Sequence, residues 1–170
     1  MFKPLFAGLF AALLLTGCAT LVKTANAGGH DYPEARSYAV SDDASGEVDA
    51  ALVRASANGK RVMIVMGANW CHDSRALAGW LETDRFKALV DKNYELVFVN
   101  VGMPQTGDGH NLAIAQRFGL EELPGTPNLL VVTAEGTLVN GETATTWRNA
   151  ASRDEDAIFS ELEQLAIRPV

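Results

Sequence analysis

The clearest change of hydrophobic pattern in the chain surrounds its second cysteine. Val62 to Met66 is an uninterrupted apolar run, which is typical of a strand buried on both faces. Leu77, Trp80 and Leu81 then follow at helical spacing. Because the period changes between these segments, Cys71 is predicted to lie where a buried strand is followed by a helix.

Other periodic segments predict the rest of an α/β domain. Helical spacing of apolar residues predicts four more helices, which begin near Ser45, Thr83, Asn111 and Ser152. Ser45 and Ser152 are the expected N-caps, the latter in a capping box with Glu155, and Gly59 is the expected C-terminal stop. Runs of β-branched and aromatic residues predict further strands at Tyr94–Val101, Leu129–Thr133 and Thr137–Asn140, the last two joined by a tight turn.

The order of these elements places one loop near the cysteine. A strand, a helical segment and a second strand predict a parallel pair with a right-handed crossover. The loop Gly102–His110 follows the second strand and is rich in glycine and turn residues. Loops after parallel strands open on the same sheet edge, so we expect this loop beside Cys71.

The first residues have the pattern of an export signal. Lys3 precedes an apolar segment, residues 5–15, that is too short to cross a bilayer. It ends in Leu15-Thr16-Gly17-Cys18, which resembles the lipobox of bacterial lipoproteins, and this implies an acylated Cys18. Ala19 then favours outer-membrane sorting and a periplasm-facing protein. The alternative is an ordinary cleaved signal with a chance cysteine.

The predicted organisation is a signal peptide at 1–17, a lipidated cysteine with a flexible tether at 18–44, and one folded domain at 45–170. The tether assignment rests on small and polar residues without a sustained apolar period. The formal net charge of −7 and the lack of a Lys/Arg cluster argue against nucleic acid as a partner. With two cysteines in the chain, a lipidated Cys18 leaves Cys71 as the single free thiol.

Several motifs in this order resemble the thioredoxin fold family. They are Trp70-Cys71 at the start of a helix, Thr126-Pro127 before an apolar strand, and the turn Glu135-Gly136 after it. The resemblance implies a thioredoxin fold, with a central mixed β-sheet flanked by helices and an added N-terminal helix. It also implies thiol–disulfide exchange. The chain departs from the family at the usual C-x-x-C motif, which here reads Cys71-His72-Asp73-Ser74.

The resemblance also implies roles for individual residues. Trp70 corresponds to the tryptophan that covers the reactive cysteine, and Ser74 stands at the position of the resolving cysteine. A serine hydroxyl can bond a thiolate but cannot attack a mixed disulfide. The family's buried acid would fall on Val65. Thr126-Pro127 is expected to be a cis bond that presents the backbone of Thr126 to an extended substrate.

Local chemistry supports Cys71 as the candidate nucleophile. The first turn of a helix leaves backbone N–H groups unpaired, and these stabilise a thiolate. The alternative is a buried, inert cysteine. A Cys71-His72-Asp73 triad is rejected because consecutive helical residues diverge. A protonated His72 would favour the thiolate, whereas Asp73 is interpreted as a first-turn acid.

No metal or other cofactor is expected. Cys71, His72 and His110 match no compact ligand spacing. Phosphate-binding and serine hydrolase motifs are lacking in the sequence.

The sequence therefore predicts a lipid-anchored domain that performs monothiol exchange, as an isomerase or in mixed-disulfide reduction. Its partners would be protein or small-molecule thiols and disulfides, an external thiol donor, and the lipid bilayer through acylated Cys18. The alternative is a non-catalytic module that holds an extended peptide at Thr126-Pro127.

Overall fold

A computed structural model describes residues 31–170, which form an α/β arrangement of helices and strands. The α-helices are α1 (Ala44–Asn58), α2 (His72–Leu81), α3 (Asp84–Asn93), α4 (Leu112–Arg117) and α5 (Glu155–Ile167). The strands are β1 (Arg61–Gly67), β2 (Tyr94–Asn100), β3 (Gly102–Met103), β4 (Asp108–Gly109) and β5 (Asn128–Val132). Short 3-10 helices span Pro104–Thr106 and Thr146–Ser152. No helix of the described part is long and apolar enough to cross a membrane.

The main sheet is mixed and has the order β2-β1-β5. β1 runs parallel to β2, with Arg61 opposite Tyr94, and antiparallel to β5, with Met66 opposite Asn128. The predicted parallel pair is therefore confirmed. The central position of β1 explains the apolar run from Val62 to Met66, because helices cover both faces of this strand.

Alternate residues of β1 face two separate apolar layers. Met63 and Val65 face the layer that contains buried residues of α2, α3 and α5. Ile64 and Met66 face the layer built by α1 and α4. The helix that follows Cys71 thus packs on one face of the sheet, and the added N-terminal helix packs on the other.

The end of the sheet differs from the sequence prediction. The predicted strand Thr137–Asn140 is reduced to an isolated bridge between Val132 and Leu138. Backbone bonds remain on either side of this bridge, from Val139 N to Val131 O and from Thr133 N to Thr137 O. Beyond them the Asn140 side chain takes over the pairing, since its Oδ1 accepts from Val131 N at 2.8 Å and its Nδ2 donates to Leu129 O at 2.9 Å. A side chain that satisfies both backbone groups removes the need for a regular ladder.

Two predicted helix caps are wrong by two residues each. Asp43, rather than Ser45, caps α1 and accepts a hydrogen bond from Gly46 N at 2.9 Å. Asp154, rather than Ser152, caps α5 and accepts from the backbone N–H groups of the first turn. The predicted stop at Gly59 is confirmed, since this residue adopts the left-handed conformation with φ of 72°.

The Thr146–Ser152 helix was not predicted. Its Trp147 and Ala150 are fully buried and belong to the layer beneath α2. A 3-10 helix repeats every three residues rather than 3.6 and is short, so it leaves little periodic signal.

Part of the predicted tether is a fixed segment of the domain. Residues 33–38, which we call the N-terminal strap, cross the outer side of α2. Ala35 N donates to Arg75 O at 3.0 Å, and the Tyr38 ring is 1% exposed and stands edge-on to Phe98. Gly79 permits this crossing, because a Cβ there would lie 2.3 Å from Pro33 O. The folded part therefore begins before residue 45, while the signal segment and Cys18 lie outside the described residues.

Candidate active site

Cys71 is the N-cap residue of α2, as the change of period predicted. Its carbonyl oxygen accepts from Arg75 N at 3.1 Å, and its N–H donates to Ala68 O at the same distance. The residue is 8% exposed, and Sγ donates to Thr126 O at 3.4 Å. The sulfur thus lies at the positive end of a helix and against the loop that precedes β5.

The Thr126–Pro127 bond is cis, which confirms the prediction for its geometry and for its contact with Cys71. Asn128 holds the loop by donating from Nδ2 to Gly125 O at 2.7 Å. The Thr126 hydroxyl is buried and has no hydrogen-bond partner among the described residues. The cis peptide, the buried hydroxyl and the sulfur therefore share one small region.

Ser74 is fully buried one helical turn after Cys71. Its Oγ accepts from Ala68 N at 3.3 Å, and its carbonyl oxygen accepts from the Tyr38 hydroxyl at 3.1 Å. The serine side chain thus closes the loop between β1 and α2, a role that the sequence did not suggest. Val65, at the position of the family's buried acid, is fully buried in the apolar layer.

Tyr38 is one of two site residues that sequence reasoning missed. Burial raises the pKa of Tyr38 above its ordinary value, and the neighbouring Cys71 acts in the same direction. Asn69 holds the tyrosine backbone from both sides, accepting from its N–H at 3.2 Å and donating to its carbonyl at 2.9 Å. The only signal in the sequence is that Tyr38 is one of two tyrosines, with Tyr32, in a polar stretch.

Arg75 joins the N-terminal strap to the loop that precedes the cysteine. Its guanidinium donates to Asn69 O at 3.2 Å and to Trp70 O at 3.0 Å, and it pairs with Glu34 at 3.1 Å. Charge-assisted bonds of this kind orient the backbone on which the neighbouring cysteine is placed. Sequence analysis did not identify this residue.

Asp73 does more than complement the start of α2. It is 8% exposed, and its Oδ1 accepts from Ala151 N in the 3-10 helix at 2.9 Å. Its Oδ2 lies 3.0 Å from Nε2 of His72, whose side chain is 65% exposed. The interpretation of Asp73 as a simple first-turn acid is therefore incomplete. The acidic side chain pairs with its neighbour while the sulfur bonds Thr126, so the three residues do not form a relay.

Trp70 forms the exposed edge of the site. The side chain is 50% exposed and donates from Nε1 to Gly102 O at 3.0 Å. Gly102 begins the β3–β4 hairpin, and Asn100 Oδ1 receives its N–H at 2.9 Å. The predicted position of the Gly102–His110 loop beside the cysteine is confirmed.

His110 has a hydrogen-bond partner on β2, since its Nε2 lies 3.1 Å from Asn100 Oδ1. Between residues 31 and 170, no three His, Cys, Asp or Glu side chains are grouped so that they could hold a metal ion.

Comparisons with known proteins agree with this geometry. A family model described as thioredoxin-like matches residues 43–134. The crystal structure of a disulphide isomerase from Xylella fastidiosa Temecula1 is similar, with 30% sequence identity and a TM-score of 0.67. The match covers 75% of this chain and 95% of that one. No match was found among curated proteins. The family and the structural match support thiol–disulfide oxidoreductase activity in general.

Proposed function

This chain belongs to the thioredoxin-like family, and we propose that it catalyses thiol–disulfide exchange through one sulfur, that of Cys71. The main support is the position of Sγ at the start of α2, 3.4 Å from Thr126 O and next to the cis peptide. Ser74 stands one turn later, where it offers oxygen instead of a second sulfur. This arrangement favours a monothiol mechanism.

The proposed reaction has two exchange steps. The Cys71 thiolate attacks one sulfur of a substrate disulfide, so that a Cys71–substrate bond forms, the substrate S–S bond breaks, and the second sulfur leaves as a thiolate. A substrate thiolate or an external thiol then attacks the mixed disulfide and releases the Cys71 thiolate. Attack from within the substrate isomerises it without net oxidation. Attack by an external thiol transfers the mixed disulfide to that thiol.

Thr126 would guide the substrate. Its carbonyl oxygen meets Sγ in the resting protein, so an extended peptide that pairs with this backbone would bring its own sulfur to Cys71. The buried Thr126 hydroxyl, which lacks a partner in the described part of the chain, is a further group that a bound peptide backbone could satisfy.

The second candidate is a non-catalytic module that holds a peptide at Thr126–Pro127. The observation that favours it is the 8% exposure of Cys71, since a thiol must be reached by its substrate. Mutations at Ser74 and Cys71 separate the two candidates.

We also propose that an acylated Cys18 anchors the protein to the outer membrane, facing the periplasm. The support is the sequence Leu15-Thr16-Gly17-Cys18-Ala19 after a short apolar segment. Mass spectrometry of the mature N-terminal peptide tests this. An unmodified Cys18, or a different first residue, would contradict the anchor.

The central test is Ser74→Cys, which places a second sulfur one helical turn from Cys71. Wild type should lack dithiol reductase activity. The variant should gain dithiol-dependent reduction of a protein disulfide such as insulin, at a rate at least about tenfold above that of the thiol donor alone, because an internal thiol now attacks the mixed disulfide. The gain is limited because Val65 supplies no proton acceptor. It is also limited because Ser74 packs closely against Gly67, where an added Cβ would lie 2.8 Å from Ser74 Oγ.

Cys71→Ser, made in wild type and in Ser74→Cys, shows whether any exchange depends on the Cys71 sulfur. Cys71→Ser should abolish exchange in both backgrounds and leave the fold intact. If folded Ser74→Cys neither closes a disulfide nor reduces insulin, Cys71 is inaccessible or misplaced, and the binding module is the better assignment.

A further inference from the structure

A concave surface lies beside the proposed exchange site. It is a groove of about 410 Å³ between the β3–β4 hairpin and the segment 120–124. Pro104 and Gln105 line the hairpin side, and Leu120 to Pro124 line the opposite side. We call it the hairpin groove.

Each wall of the hairpin groove is close in sequence to a residue that contacts Trp70 or Cys71. Pro104 is two residues from Gly102, whose carbonyl oxygen binds the Trp70 indole. Pro124 is two residues from Thr126, whose carbonyl oxygen contacts Cys71 Sγ. Two residues span at most about 7 Å. A peptide that crosses Thr126 therefore reaches the groove within a few residues of its own sulfur.

The hairpin wall is held in place. A Cβ at Gly109 would lie 3.0 Å from Pro104 Cα and 3.0 Å from Leu112 Cδ1, so the hairpin packs closely over Leu112. The Trp70–Gly102 bond fixes its other end. The groove is thus formed before a ligand arrives, which lowers the cost of binding.

The lining combines apolar and acidic groups. Leu112, Leu120 and Leu123 supply apolar surface that is partly or fully buried. Glu121 and Glu122 are exposed on one wall, and neither forms an ion pair with a residue in the described region. The formal net charge of −7 adds to the negative potential around them.

We propose that the hairpin groove binds a lysine or arginine side chain that flanks the reactive cysteine of an extended peptide substrate. The methylene stem would lie on the leucines, and the cationic end would meet Glu121 and Glu122. This inference rests on the proposed function only in assigning a peptide to Thr126. It adds the class of substrate, a basic segment beside the cysteine.

The test uses two eight-residue peptides that differ only in the residues flanking the central position, which are lysine in one and glutamine in the other. With serine at the central position, they report binding by calorimetry. With a glutathione-linked cysteine there, they report the rate of exchange at Cys71. The lysine peptide should bind about three- to tenfold more tightly, and this preference should shrink at 0.5 M salt.

The variant Glu121→Gln/Glu122→Gln should reduce the preference to less than about twofold. The matched control is Glu135→Gln/Glu163→Gln, which makes the same change in net charge at two exposed positions outside the groove. The control should keep most of the preference, because screening limits the reach of distant charges.

The outcomes separate the two proposals. A lysine preference in binding without any exchange supports the groove and contradicts the exchange function. Exchange at equal rates with equal binding supports the function and overturns the groove. Failure of both serine peptides to bind, or an equal loss of preference in the control variant, also overturns the groove.

Discussion

The two sides of the Cys71 segment are built differently. On the inner side, Tyr38, Asp73 and Ser74 are nearly or fully buried, and each hydrogen-bonds to another segment of the chain. On the outer side, Trp70 and His72 are half or more exposed. The inner side fixes where the sulfur lies, and the outer side determines what reaches it.

This difference predicts where a mutation has its effect. A buried polar group that loses its partner costs about 1–3 kcal/mol of stability, whereas exposed groups replace lost bonds with water. Inner substitutions should therefore lower the free energy of unfolding. Outer substitutions should change substrate binding and exchange with little change in stability.

The largest expected effect is that of Tyr38→Ala. Removal of this fully packed ring should lower the free energy of unfolding by about 3–5 kcal/mol, because the cavity is lined by core residues. The variant also loses the bond to the Ser74 carbonyl. Urea unfolding followed by circular dichroism measures the change. A loss below about 1 kcal/mol would mean that the N-terminal strap is not part of the folded unit.

Tyr38→Phe is the control that keeps the ring, and it should lower the free energy of unfolding by only about 1 kcal/mol at neutral pH.

Tyr38→Phe also tests the raised pKa of Tyr38. The folded protein holds this proton above pH 10.0, the ordinary value, while the unfolded chain releases it, so stability falls as pH rises. Above about pH 10 the wild type should lose up to about 1.4 kcal/mol more per pH unit than Tyr38→Phe. Tyr94, whose pKa is also raised by burial, adds the same slope to both proteins.

The two sides also differ in how far sequence could predict them. The reactive cysteine and its helix follow from local patterns, namely a buried strand and a change of period. The cis peptide was expected from the resemblance to the thioredoxin family and not from a local pattern, since most X-Pro bonds are trans. The inner side does not follow from such patterns. Tyr38 lies in a polar stretch without periodicity, and its burial depends on Asn69 and Arg75, which anchor the strap from a distant part of the chain.

The same limit explains the wrong caps and the missed 3-10 helix. Several side-chain oxygens lie within two residues of each helix start, and the one that caps is selected by the path of the incoming chain. The incoming chain places the side chains of Asp43 and Asp154 beside the first N–H groups of their helices. Ser45 is already helical, and Ser152 ends the preceding 3-10 helix. These choices depend on tertiary packing and not on local composition.

Asp73→Ala should have the second largest effect. It leaves Ala151 N without its carboxylate partner and removes a first-turn acid from α2, so we expect a loss of about 1–3 kcal/mol in unfolding free energy. Asp84→Ala is the matched control, because Asp84 is an exposed acid in the first turn of α3. The control should cost less than about 1 kcal/mol. Equal losses would restore the simpler interpretation of Asp73 as a first-turn acid.

The smallest effect on stability is expected on the outer side, for Trp70→Phe. The change keeps an aromatic face and removes the bond to Gly102 O, which water can replace, so unfolding free energy should change by less than about 1 kcal/mol. Exchange with the lysine-flanked peptide should nevertheless slow about threefold, because the β3–β4 hairpin loses its link to the site. His72→Ala, the other substitution on the outer side, removes an exposed pair with Asp73 that holds no second segment, and it should likewise change the unfolding free energy by less than about 1 kcal/mol. If Trp70→Phe destabilises the fold by more than about 2 kcal/mol without affecting exchange, the assignment of stability to the inner side and of substrate exchange to the outer side is wrong.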